Sequence, residues 1–505
     1  MKYRYAPHTR GHLKLWLDNP KRDARKFMGI SKKHNQDYYV IEANLVNALV
    51  LQDMSIIRPL ESADPAQFDV PLGLFDYQIP DVLKMASCSR ILNANKMGYG
   101  KTVEAVTTLR MLNAQQVVIV APKPVLEQWS DQLDKWWKDH PTCAINPERP
   151  INGINIFNYE QITSQLKQAL LRQKLWDAVI VDEAHRIKTP STKRTIACTN
   201  IPAKCRYALT GTPILKNPED LYSQLRFLDP IYSGNSYYSF RNYFCNVKMG
   251  FFGEEVAGLT KDEFRLSILN RLLAIVAIRN PDRGLTAGKR QIVEKLGMDS
   301  QQKDLYHKIV KLILDELPEK ATIPNGAVKV LRAVQATSSP SIFLKGVWGS
   351  KFEWIRALLE DNPDEKIVVF SRFASTIEEL QKYLLKHHIS MVRYTGKVPT
   401  PDRVAHKNSF INDPSVRVLG GTIACLGEGV DGLQEASHIA VFIDRPYVPE
   451  MVSQCEDRLN RPGQTQQVLC YFLECRGTYD RHIGHVNETR AEDIRRALSD
   501  DSIDT

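Results

Sequence analysis

The segment ILNANKMGYGKTVEAV (residues 91–106) runs from an apolar, strand-forming stretch through Gly98, Gly100, Lys101 and Thr102 into a helical pattern. That order has a physical use. A tight glycine turn exposes backbone N–H groups, and a helix N-terminus adds its dipole, so phosphate oxygens are favoured there. Lys101 then reaches a terminal phosphate, and Thr102 offers a hydroxyl to Mg2+. The general GxxxxGK spacing has Asn95 where its first glycine would stand. The position of Lys101–Thr102 between a strand and a helix therefore carries the reading, since a bare Gly-Lys-Thr would be weak.

Further along, WDAVIVDEAHRIK (176–188) delivers two adjacent acids, Asp182 and Glu183, at the C-terminal end of a second apolar strand. Ligands of parallel sheets bind at that end. Asp182 suits Mg2+ coordination through water, and Glu183 suits orienting and deprotonating an attacking water, as phosphoryl transfer requires. Alone, the pair would read as a surface cap on a helix. His185 would alone read as a satisfied structural histidine. In QCEDRLNRPGQ (454–464), Gln454, Arg458 and Arg461 recur at spacings of four and three, which places them on one face of a predicted helix. Glu456 and Asp457 alternatively make a surface network with these arginines.

These groups need a scaffold. Short β-branched runs alternate with helical stretches at 91–94, 117–121, 154–157, 177–181 and 206–210, and again at 366–370, 390–395, 416–421, 438–444 and 468–474. Apolar runs between helices predict parallel sheets covered on both faces. The stretch 233–345 is mostly helical in period. The expected organisation is α/β: a small basic N-terminal segment (1–68), a first lobe (69–232), a helical insertion region (233–345), a second lobe (346–490) and an acidic tail (491–505). VIEANLVNALVLQ (40–52) predicts a strand passing into a helix. Trp129, Trp136 and Trp137 are expected to pack in a core.

Composition bounds the rest. The 505 residues carry 43% hydrophobic and 25% charged side chains, ordinary for a globular chain. No apolar run approaches the length of a membrane helix, so no membrane partner is expected. The nine cysteines form no CxxC pair and read as reduced thiols. The net charge is +9, and residues 1–35 hold ten Lys/Arg against two Asp, a balance that favours a polyanion.

LFDYQ (74–78), NKMGYGKT (95–102), APKPVLEQW (121–129), NYEQI (158–162), VDEAHRIK (181–188), LTGTPILKNPEDL (209–221), VVFSRF (368–373), GEGVDGLQ (427–434) and QCEDRLNRPGQ (454–464) together resemble, in order, the Swi/Snf-type double-stranded DNA translocases of helicase superfamily II. The resemblance implies two RecA-like lobes, ATP and Mg2+ as cofactors, and duplex or branched DNA as track. It implies that Gln78 reads the adenine edge and that Phe75 or Tyr77 packs on the base. His185, Thr210, Thr212, Gln454 and Glu428 to Asp431 would couple the ATP site to the track, with Asp431 also placed at the nucleotide. Arg458 and Arg461 resemble arginine fingers, which ties hydrolysis to closure of the lobes. Lys123, Asn158, Lys188, Ser371, Arg372 and Thr422 are the implied DNA contacts.

Two positions depart from the family pattern: Asn95 and Lys96 stand where Asp-Glu is usual, and Tyr447 where Trp is usual. The alternatives are a strand-separating DNA or RNA helicase and a non-catalytic nucleic-acid-binding protein. A monomeric motor, aided by a protein partner for targeting, in a bacterial or viral cytoplasm and associated with the nucleoid, completes the expectation.

Overall fold

The computed structural model describes residues 4–7, 12–16, 26–32, 39–42, 44–53, 73–250, 253–280, 287–315, 324–427, 430–461 and 463–498. The chain divides into two compact units, residues 1–281 with 492–505, and residues 282–491.

The first unit opens with a small antiparallel sheet of β1 (Arg4–Pro7), β2 (His12–Trp16), β3 (Ser31–Lys32) and β4 (Tyr39–Glu42), in the order β1-β2-β4-β3. The helix Leu45–Asp53 follows, so the strand and helix predicted for 40–52 are both present. Phe27, Met28, Ile41, Val46, Leu49 and Val50 are buried in the same cluster as Phe240, Leu269 and Leu272. Asn47 stitches this corner. Its side chain accepts from the Met28 N–H at 2.8 Å and donates to Met28 O at 3.1 Å and Glu42 O at 2.9 Å. The basic opening segment therefore contributes to the core of the first unit.

The main sheet of that unit contains β5 (Arg90–Asn93), β6 (Val117–Ala121), β7 (Cys143–Ile145), β8 (Ile154–Asn158), β9 (Trp176–Asp182), β10 (Ala203–Leu209) and β13 (Ala277–Ile278). The order is β13-β5-β10-β9-β6-β8-β7, and every pairing is parallel. Side chains of β6 and β8 are buried throughout, because helices cover both faces. A hairpin, β11 (Cys245–Gly250) and β12 (Gly253–Leu259), precedes the helix Glu263–Val276.

The second unit holds a parallel six-stranded sheet of β14 (Lys289–Leu296), β15 (Ile367–Ser371), β16 (Met391–Tyr394), β17 (Val418–Thr422), β18 (Ile439–Phe442) and β19 (Val468–Cys475). The order is β14-β19-β18-β15-β17-β16. Each unit is thus a RecA-like α/β layer structure. The stretch 233–345, expected to be mostly helical, holds long helices and also strands. It gives one strand, β13, to the first sheet and one, β14, to the second. Both are edge strands. In β14 the run KRQIVEKL alternates exposed and half-buried positions along its second half, and its many charges obscure the period of two.

Among the described residues no helix is long and apolar enough to cross a membrane.

Candidate functional site

Register decides what meets at the C-terminal edge of the first sheet. Leu209 pairs with both Asn93 and Asp182, and Ala121 pairs with Asn158. The loops after these strands therefore leave from one edge. They carry Lys101, Lys123, Asn158, the Asp182–Glu183 pair and Thr210.

The loop after β5 turns through Gly98 and Gly100, both at φ +83°. Gly100 is the N-cap of the helix Lys101–Met111. Its left-handed φ favours glycine, and a Cβ there would lie 2.4 Å from Gln78 Nε2 and displace that amide. Lys101 Nζ donates to the loop's own carbonyls, Asn95 O at 2.8 Å and Lys96 O at 3.0 Å. Thr102 is half-buried beside it.

Gln78 is buried under the loop. It accepts from the Phe75 N–H at 3.1 Å and donates to Tyr99 O at 3.3 Å. Phe75 is 66% exposed, its ring stacked on Tyr77 at 5.5 Å.

Asp182 ends β9 with both oxygens engaged. Oδ2 accepts from the Trp129 indole N–H at 2.9 Å, and Oδ1 accepts from the Glu183 N–H at 2.9 Å. Burial pushes the Asp182 carboxyl up to about 6, and the charge of Glu183 adds to that rise. Glu183 adopts a left-handed conformation, φ +50°. His185 Nδ1 lies 3.3 Å from Glu183 Oε2, 3.2 Å from Thr210 Oγ1 and 3.4 Å from Thr212 Oγ1. One imidazole thus links the acid pair to the loop after β10. The same loop abuts the phosphate loop: a Cβ on Gly211 would meet Met97 Cγ at 2.8 Å and Lys101 Nζ at 3.5 Å.

Two residues of this site escaped sequence reasoning. Trp129 is fully buried, as a core tryptophan should be, yet its N–H also holds Asp182. Tyr159 sits one residue past Asn158 and donates from its hydroxyl to Asp182 O. Neither spacing nor residue type signals such a bond in advance.

The implied DNA contacts differ in what they can offer. Lys123 is exposed on the turn after β6. Lys188 is half-buried, and its ammonium lies 3.5 Å from Asp220 Oδ1. Asn158 is mostly buried, and its Oδ1 accepts from the Gln161 N–H at 2.8 Å.

In the second unit Ser371 pairs with Thr422 in register. Ser371 is fully buried, and its hydroxyl donates to Asp444 Oδ2 at 2.6 Å. It is therefore turned inward rather than presented as a surface phosphate contact. Asp444 also accepts from the Arg372 N–H at 2.8 Å. The Arg372 guanidinium lies 5.5 Å from the Phe373 ring and 5.9 Å from the Tyr447 ring. Thr422 is mostly buried.

The predicted single helical face for Gln454, Arg458 and Arg461 is corrected by the backbone. The helix Pro449–Glu456 carries Gln454 and stops before both arginines. Bonds from Arg458 N to Cys455 O at 3.1 Å and from Leu459 N to Glu456 O at 3.0 Å tighten its end. A proline follows Arg461 in sequence, which disfavours continuing the helix. Arg458 is buried, and it donates to Gly427 O at 3.2 Å and Val430 O at 3.3 Å. Arg461 pairs with Asp431 and donates to Asp457 O at 2.8 Å. Asp431 is thus the partner of the two arginines, lying 3.7 Å from Arg458. Glu456 and Asp457 pair with Lys289 instead. Glu428 lies outside the described residues.

Comparison with known proteins places this geometry. Residues 77–335 match the SNF2-related domain, and residues 350–463 match the helicase conserved C-terminal domain. The chain belongs to the SNF2-related family. It is 26% identical over 428 residues to the Caenorhabditis elegans homolog of SWI/SNF-related matrix-associated actin-dependent regulator of chromatin subfamily A-like protein 1, covering 81% of this chain and 59% of that protein. It is 27% identical over 412 residues to the Mus musculus DNA annealing helicase and endonuclease ZRANB3, covering 77% of this chain and 37% of that protein. The chain thus spans between 37% and 59% of the length of these relatives.

Among solved structures, the Sulfolobus solfataricus SWI2/SNF2 ATPase core in complex with dsDNA aligns at 21% identity and a TM-score of 0.40, covering 87% of this chain and 99% of that one. That superposition is loose, and the fold assignment rests on the strand orders above.

One expectation is corrected by the comparisons. The bacterial or viral, nucleoid-associated expectation fails, because these curated relatives are animal and plant proteins, some named as regulators of chromatin.

Proposed function

We propose that this chain hydrolyses ATP and couples hydrolysis to movement along duplex DNA, branched duplexes included. One observation carries the reading. The phosphate loop, the Asp182–Glu183 pair and the Thr210–Thr212 loop leave one sheet edge, and His185 joins the last two. The residues fit a nucleotide with Mg2+: two glycines in the left-handed region turn the loop, and Lys101, Thr102 and Asp182 form a hard-donor and cationic set beside it.

In this reading Lys101 leaves its own loop carbonyls for phosphate oxygens. Thr102 and Asp182 hold the divalent cation, which when bound neutralises charge on the phosphates. Glu183 orients and deprotonates the attacking water, and His185 passes its state to Thr210 and Thr212. Gln78 and Phe75 receive the base. Arg458 and Arg461 stabilise transition-state charge after leaving Gly427, Val430 and Asp431, and Gln454 supports them from the preceding helix.

Lys123, Lys188 and Arg372 contact DNA phosphates, with Asn158 and Thr422 shaping the loops that present them. The name of the mouse relative, a DNA annealing helicase and endonuclease, supports DNA as the substrate class. A monomeric working state and a targeting protein belong to the same proposal.

The test is ATP hydrolysis by the full chain with duplex DNA, single-stranded DNA and RNA at matched salt. Duplex DNA should stimulate most, and Glu183→Gln should bind nucleotide yet lose about a hundredfold or more in turnover. Stronger stimulation by RNA, or near-normal turnover in the variant, overturns the reading.

A further inference from the structure

Behind the phosphate loop lies a buried network that the nucleotide reading does not use. Asp81, Asn93, Asn95 and Glu104 are each at most 5% exposed. Asn95 stands at its centre. Its Nδ2 donates to Asp81 Oδ2 at 2.7 Å and approaches Glu104 Oε2 at 3.5 Å. Its Oδ1 accepts from the Asn280 N–H at 3.0 Å. Asn93 Nδ2 donates to Glu104 Oε2 at 2.6 Å, and Asn280 Nδ2 donates to Asp81 Oδ2 at 2.5 Å. The backbone carbonyl of the same Asn95 receives Lys101 Nζ at 2.8 Å.

Two carboxyl groups thus share this space, and the side-chain amides of Asn93, Asn95 and Asn280 donate to them. Position 95 must donate toward both acids and accept from Asn280. An amide does both, whereas a carboxylate could only accept. An aspartate there would be a third acid in a buried cluster, with Asp81 robbed of one donor and like charges facing each other. Glu104 Oε1 has no hydrogen-bond partner, and burial raises the Glu104 carboxyl to about 7, so another charge at position 95 would fall on an acid already short of compensation.

We infer that Asn95 and its two facing acids, Glu104 and Asp81, form a matched amide–carboxyl unit that positions the phosphate loop and, through the Asn95 carbonyl, Lys101. The departure at position 95 from the usual acidic residue is compensated inside the protein. Asn95 is a positioning residue, its side chain taken up by Asp81, Glu104 and Asn280. The inference rests on the nucleotide reading for its consequence, but the match among the three residues stands without it.

The experiment compares Asn95→Asp, Glu104→Gln, Asp81→Asn, and the doubles Asn95→Asp/Glu104→Gln and Asn95→Asp/Asp81→Asn in the full chain. Affinities for a fluorescent ATP analogue and for the matching ADP analogue are measured with Mg2+, alongside thermal unfolding. Asn95→Asp should lose about tenfold or more in ATP affinity and less in ADP affinity, because Lys101 serves the terminal phosphate. At least one double should recover to within about threefold of wild type. A purely structural defect would lower both affinities alike. Additive losses in both doubles, or wild-type behaviour of Asn95→Asp, overturn the inference. If Asn95→Asp fails to fold, the doubles decide: recovery of a cooperative transition in one supports the match, and none in either refutes it. Failure of the wild type to bind either analogue would instead sink the nucleotide reading, while the unfolding cycle would still report on the match.

Discussion

Lys289 and Glu456 form an ion pair at 2.7 Å, two residues before Arg458 and at the first position of the strand that borders the second sheet. Lys289 also lies 3.0 Å from Asp457 Oδ1, and Gln291 Nε2 donates to Glu456 Oε1 at 2.6 Å. Burial pulls the Lys289 ammonium down, but Asp457 and Glu456 together outweigh it and hold it above its ordinary range. The turn that carries both arginines is therefore anchored from another strand. Lys289→Ala leaves Glu456 buried without its cation, which should cost about 2 kcal/mol of stability. Turnover at saturating ATP should fall about tenfold through misplacement of the arginine turn, with nucleotide affinity nearly unchanged. Steady-state kinetics beside nucleotide titration checks this. Unchanged turnover would make the pair a stability element only.

Trp129→Phe keeps a large ring in the core and removes the N–H that holds Asp182. We expect a turnover loss of about tenfold, with a raised Mg2+ requirement and only a small change in unfolding temperature. A Mg2+ titration of hydrolysis reads the effect directly. A loss of stability with no change in Mg2+ dependence would return Trp129 to the role of packing alone.

Lys123 is exposed and Lys188 is held near Asp220, so the two should respond differently to salt. Lys123→Ala should lower the slope of log affinity for duplex DNA against log salt by about one unit, uniformly across sequences. Lys188→Ala should change the slope less, because its charge is already partly compensated. Fluorescence anisotropy over a salt series separates them. Identical slopes in both variants would contradict the assignment.

Asp177 accepts from the backbone N–H groups of Gln115 and Gln116, each at 2.9 Å, and from Lys204 at 2.7 Å. Burial alone would raise its carboxyl, but Lys204 and the two backbone donors prevail and hold it below its ordinary value. A depressed acid contributes stability above its unfolded value and loses that contribution as pH falls through the folded one. Asp177→Asn should therefore cost about 1 kcal/mol at neutral pH. The deficit against wild type should shrink as pH drops below about 4. Urea unfolding at several pH values tests the sign.

The apolar strands were legible because full burial on two faces leaves a continuous β-branched run, as in Val117–Ala121. Edge strands were not. Ala277–Ile278 is only two residues, and Lys289–Leu296 is half-exposed and highly charged, so neither stands out from helical sequence around it. The phosphate loop and acid pair could be read from residue type and spacing alone. Their supports could not, since Trp129 and Tyr159 act through tertiary contacts of long sequence separation. Ser371 marks the same boundary. It follows the predicted run 366–370 and ends the observed strand, but only the fold reveals that its hydroxyl turns inward to Asp444. The arginine turn shows the limit of periodicity, because spacings of four and three are compatible with a helix that stops at Glu456.

Gln78 is held on both sides of its amide before any base arrives, its oxygen by the Phe75 N–H and one of its two N–H bonds by Tyr99 O. A second N–H and a second lone pair complete the amide's capacity. The side chain therefore meets a base already aimed, and its rotamer freedom is lost on folding and not on binding. A ring that matches that fixed direction adds bonds without reorganisation, whereas one with the opposite pattern faces a buried amide it cannot satisfy, at a cost of about 1–3 kcal/mol. Selectivity at this position is set when the chain folds.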